Sequence, residues 1–154
     1  STFGSSGTFN GILITNSSGN NFALTNNFIG GTAPLCGGTP LTLTATTTLV
    51  FRAIQATVGS TTPTSIQGNT IRNIAVTTTS TSTVQSLISA LTGSFNIGTV
   101  SGNTLGSQSA TGSVSFTQTT TSTSPIFSGE IWIDWMRGAK TDSSLREAGI
   151  ILVI

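Results

Sequence analysis

One short pattern recurs three times along the chain and constrains its fold more than any other feature. Residues 24–30 (LTNNFIG) align with 66–72 (IQGNTIR) and with 100–106 (VSGNTLG). Each reads apolar, polar, Gly or Asn, Asn, any residue, apolar. A second block precedes each copy, at 9–14 (FNGILI), 51–56 (FRAIQA) and 84–89 (VQSLIS), and a fourth begins at 127–132 (FSGEIW). The first residues of these blocks lie 42, 33 and 43 positions apart, and the offset between the two blocks is 15 or 16. The length variation falls in 31–48, 77–83 and 107–124, which are rich in Thr and Ser and read as loops of adjustable length. A constant unit with elastic loops is the signature of a solenoid, in which each repeat touches only its neighbours.

The repeat reads as strand. Its apolar residues alternate or cluster in runs of four to six between Gly, Asn and Thr-rich breaks. Val, Ile and Thr are stiff at χ1 and suit a pleated surface. Good helix formers cluster only at 84–91, whose equivalents in the other repeats are strand-like, and at 143–148, which could make a short helical turn. The recurring Gly/Asn-Asn pair has a physical role in such a chain. A bend between strands needs a left-handed residue, and Gly or Asn supplies it cheaply. Asn27, Asn69 and Asn103 would then stack at about the 4.8 Å strand spacing, with their amides bonded along the stack. They are expected to hold the fold rather than a ligand. The fold expected is all-β, a right-handed parallel β-helix of about three to four coils with long Thr/Ser-rich loops. Residues 1–8 would lead in, 9–133 would form the coils, and 134–154 would make a divergent strand or cap.

The segments NNFIGG, CGGTPLTLT, TSIQGNTIRNI and FNIGTVSGNTLGS resemble the Thr/Gly/Asn-rich β-helix repeats of large secreted Bacteroidetes surface proteins, over roughly residues 9 to 133. The resemblance implies a right-handed parallel β-helix, export to the cell surface and a longer parent polypeptide. It carries no catalytic residues to transfer, and it does not extend to the segment from Asp134 onward.

Composition narrows the function classes. Charged residues make up 6% of the 154, against roughly 25% in an average protein, and hydroxyls and amides take their place. A net charge of +1 offers no field for nucleic acid. There is no leader-like segment, which suits either a processed mature chain or a piece of a longer one. No apolar run approaches a membrane span. Cys36, the one cysteine, has no intrachain partner.

The absence of His excludes Ser-His-Asp and Cys-His chemistry and His-containing metal sites. No phosphate loop or calcium loop is present, so neither a cofactor nor a metal is expected. Arg52 and Arg72 lack a nearby carboxylate and read as solvated surface residues. All four carboxylates lie in the last quarter of the chain. Glu130 and Asp134 would share a strand face with Trp132 between them, a pattern that suits a sugar site or an ordinary exposed strand. Trp132 and Trp135 would point to opposite faces, one capping the core, the other available to a glycan or an interface.

Parallel coils leave unpaired backbone at both ends of a stack, and little capping material is evident at 1–8. The apolar strand 149–154 could close the last coil, pair with a neighbour or continue a longer parent. A non-catalytic, secreted structural or adhesive protein is therefore expected, as a stalk segment or a self-assembling filament subunit, associating through its coil ends or C-terminal strand. The alternative is a solenoid that binds a surface glycan or ice, and a polysaccharide-degrading enzyme ranks last. The threonine tracts, placed in variable loops, argue for an irregular match to an ice lattice.

Overall fold

The computed structural model describes residues 2–3, 6–79, 85–107, 113–119, 132–133 and 150–152. Among them there is no α-helix, and the strands form four parallel sheets. The first sheet joins β1 (Thr2–Phe3), β5 (Leu41–Ala45), β9 (Ile74–Thr78) and β13 (Val114–Gln118). The second joins β2 (Gly7–Asn16), β6 (Leu49–Val58), β10 (Ser86–Thr92) and β14 (Trp132–Ile133). The third joins β3 (Ala23–Thr25), β7 (Thr64–Gln67) and β11 (Phe95–Ile97). The fourth joins β4 (Phe28–Ile29), β8 (Thr70–Ile71), β12 (Asn103–Leu105) and β15 (Ile150–Leu152). The chain thus visits the four sheets in the same order on each of its first three passes, and a strand pairs with its counterpart from the next.

Register stacks like on like. Phe9 lies beside Phe51 and Ile12 beside Ile54. Leu24, Ile66 and Ile97 form one column, and Ile29, Ile71 and Leu105 another. These columns make the core, in which Phe51, Ile54, Ile66 and Ile71 are wholly buried. Each such side chain contributes about 1.5–3 kcal/mol by leaving water. The rings of Phe9 and Phe51 stack at 5.5 Å and 5°, and Phe116 tilts against Phe51 at 5.8 Å. The second pass is covered on both sides. On the first, Phe9, Ile12 and Ile14 are only partly buried.

Several expectations require correction. The threonine-rich stretches are not wholly loops, since Leu41–Ala45, Thr77–Thr78 and Val114–Gln118 are strand residues in register. The segment expected to lead in takes part in the sheets, with Thr2–Phe3 beside Thr44–Ala45 and Gly7 beside Leu49. Ser86 pairs with Arg52 and Ile88 with Ile54. The third block is therefore displaced by one residue from the sequence alignment, and Gln85 rather than Val84 comes level with Phe51. A one-residue slip exchanges the two faces of a strand, and in this register Ile88 and Ala90 come level with the buried Ile54 and Ala56.

Gln85 is itself fully buried. Its Oε1 accepts the Phe51 amide at 2.5 Å and its Nε2 donates to the Leu49 carbonyl at 2.7 Å. The side-chain amide thereby stands in for a strand peptide just before β10 begins. Similarly, Val100 does not take the place of Leu24 and Ile66. It is 92% exposed, and the buried Ile97 fills that column instead.

Candidate functional site

The three repeat asparagines form a continuous bonded column. Each follows a bend: Asn26 and Gly68, immediately before Asn27 and Asn69, are left-handed at φ 57° and 62°. In the third pass the left-handed residue is Gly98 (φ 63°) rather than Gly102, because three more residues separate Ile97 from Asn103 than Ile66 from Asn69. Gln67 fills the widened corner. Its Nε2 donates to Asn96 O and Thr99 Oγ1, while its Oε1 accepts the amides of Val100 and Ser101.

Within the column Asn27 donates its backbone N–H (3.0 Å) and Nδ2 (2.8 Å) to Asn69 Oδ1. Asn69 repeats both bonds to Asn103 Oδ1, each at 2.9 Å. The second Nδ2 proton points back a pass, from Asn69 to Leu24 O (2.8 Å) and from Asn103 to Ile66 O (2.9 Å). Asn69 and Asn103 are buried, so these bonds replace water that cannot reach them.

The column has a direction: every Oδ1 accepts from the preceding pass. Among the described residues nothing donates to Oδ1 of Asn27. At the other end Asn103 lies beside Ile150 of β15, so the asparagine series stops there. The strand expected to close the last pass, pair with a neighbour or continue a parent chain is thus paired within this chain, over Ile150–Leu152.

A second constellation surrounds Cys36, in a 3-10 turn (Pro34–Cys36) between β4 and β5. Leu35 and Cys36 are both left-handed, at φ 57° and 59°, a conformation that costs a non-glycine residue roughly 1–2 kcal/mol. The loop is tied down from the next pass. Asn73 Nδ2 donates to the carbonyls of Cys36, Gly37 and Gly38, and Arg72 donates to Leu35 O at 3.2 Å. Burial raises the Cys36 pKa above the ordinary thiol value, opposed in part by the Arg72 amide, the Arg72 charge and the Ile29 backbone. The thiol, 3.5 Å from Thr70 O, therefore stays protonated and unreactive at neutral pH.

Arg72 is half-buried and its Nε has no partner among the described residues; Arg52 bonds Gln55 Oε1 at 2.9 Å. Neither is the freely solvated arginine expected. Asn73, Gln67 and Gln85 escaped the sequence reading. The pairing of a polar amide with a run of tight-turn residues one pass away (APLCGG opposite Asn73) was the available signal for the first.

A third feature is a row of hydroxyls. Register aligns Thr2 with Thr44, Thr44 with Thr77, and Thr77 with Thr117. Beside it run Thr42, Ala75 and Ser115. The local signal was the alternation TLT, AVT and SFT at 42–44, 75–77 and 115–117, a period of two that marks a half-buried strand.

Of the residues expected at a glycan or interface contact, Trp132 lies in β14, whose backbone pairs with Ser89–Ala90. Glu130, Asp134 and Trp135 lie outside the described residues. Among the described residues no three His, Cys, Asp or Glu side chains cluster as a metal site, and no helix is long and apolar enough to cross a membrane. No match to the chain was found among known protein families, curated proteins or solved structures.

Proposed function

We propose that this chain is a stretch of right-handed parallel β-helix that serves as a non-catalytic structural or adhesive element, exported to the cell surface and extended by stacking at its first pass. The β-helix reading rests on strands that meet their counterparts once per pass, in parallel and in the same sheet order. The hand follows from the chirality of parallel crossovers, right-handed in about 98% of cases. Export accords with a surface built of hydroxyls and amides and with the repeat resemblance.

The observation that carries the extension is the unsaturated start of the asparagine column. Asn27 offers Oδ1 to an amide that a further pass would supply; on the same pass the ten-residue strand β2 is an edge among the described residues, and Phe9, Ile12 and Ile14 are only partly buried. An exposed long edge of this kind is a template for another strand.

Sedimentation velocity over a wide concentration range, with negative-stain imaging, tests the reading. Concentration-dependent association into elongated particles, weakened by Asn27→Ala, is expected. A compact monomer at every concentration, or association indifferent to Asn27, would overturn stacking at this end.

A further inference from the structure

We infer that the outer face of the β1–β5–β9–β13 sheet binds ice, through the row Thr2–Thr44–Thr77–Thr117 and the parallel row Thr42–Ala75–Ser115. This goes beyond the structural role and does not require end-to-end stacking, because the face lies along the sheet rather than at its edge.

Strand pairing sets a spacing of about 4.8 Å along each row, and the two-residue repeat sets about 6.6 Å between rows. The result is a two-dimensional grid of small hydroxyl and methyl groups. Thr2, Thr42, Ser115 and Thr117 are exposed, and Thr44 and Thr77 are half-exposed. Thr42 gives its hydroxyl to Pro40 O at 3.2 Å. The hydroxyls of Thr2, Thr44, Thr77 and Thr117 have no hydrogen-bond partner among the described residues and stand on a face that is exposed or half-exposed.

The grid is held rigid from behind. Leu43 and Val76, which alternate with these threonines, are each 1% exposed and belong to the core. A β-branched side chain on such a strand has few χ1 choices, so the hydroxyls occupy their positions before anything binds, and little ordering cost remains.

The chemistry of the face selects the occupant. Among the described residues it carries no charge: Arg52 and Arg72 lie in the second sheet and just beyond β8. An ion, a nucleic acid or a charged peptide therefore finds no counter-charge. Its outward positions carry no aromatic ring on which a sugar could stack. What remains is a partner that is itself a periodic array of hydrogen-bonding oxygens. Each contact is weak, but a rigid grid engages many at once, and only a lattice can meet all of them in register.

The test uses the whole chain. Ice-affinity partitioning and ice-recrystallisation inhibition are measured for wild type, for Thr44→Lys/Thr77→Lys, and for Thr25→Lys on β3 as a control, each checked by circular dichroism for native fold. Wild type and control are expected to enrich in the ice fraction and to slow grain growth, with loss of most of both effects in the double variant. Enrichment no greater than that of serum albumin, or a folded double variant that behaves as wild type, would overturn the assignment. So would retention by insoluble polysaccharide in place of ice.

Discussion

Asn69 sits mid-column with its side chain fully committed, whereas Asn27 uses only its donors to the next pass. Truncating Asn69 strands the Asn27 amide and the Leu24 carbonyl in a buried corner. An unmet buried polar group costs about 1–3 kcal/mol, so Asn69→Ala should lose about 3 kcal/mol and Asn27→Ala about 1 kcal/mol. Urea unfolding of the two variants checks the ranking, and equal losses would mean the column adds nothing cooperative. That these asparagines recur at matched positions is legible in the residues alone. That the Asn69 amide serves two neighbours, one forward and one back, follows only from the third dimension.

At the scale of the element, β6 is the strand on which the second sheet depends. Phe9 stacks on its Phe51 from one side, and Gln85 completes its backbone pairing from the other. Gln85→Leu keeps the volume but leaves the Phe51 amide and the Leu49 carbonyl buried without a partner. A loss of about 3 kcal/mol is expected, read by thermal or chemical denaturation; a neutral result would show that another group takes over the bonds. Sequence alignment set Val84 against Phe51, because an apolar residue is the natural match for a phenylalanine. The chain instead places a polar residue in the core, where its amide imitates a peptide group, and no apolar pattern announces such a substitution. In the next corner, likewise, Val100 matched the pattern but Ile97 fills the core.

For the whole molecule, contacts run between successive passes, so stability should grade from the centre outward. The strands β5, β6, β7, β8, β9, β10 and β12 have neighbours on both sides, while among the described residues β2, β3 and β4 are edges. Amide hydrogen exchange is expected to be slowest over 49–58, 64–67 and 74–78 and faster over 7–16 and 23–29. Uniform protection would instead indicate one all-or-none unit. Low charge leaves hydroxyls to face water on the first sheet, where the row Thr2–Thr44–Thr77–Thr117 is its most regular product.

By itself the sequence determined the all-β class, the recurring asparagine-bearing segment and the left-handed residues at two of its three bends. Stiff β-branched side chains, the Gly or Asn needed for left-handed turns and the recurring asparagine are chemical choices readable one residue at a time. Tertiary structure alone decided which residue lies beside which. Counting positions passes through loops of variable length, whereas register is chosen by what packs across a strand gap, where a shift of one residue turns the core face outward. Gln85 beneath Phe51, Ile97 in place of Val100, and threonines 2, 44, 77 and 117 in one row all come from that choice.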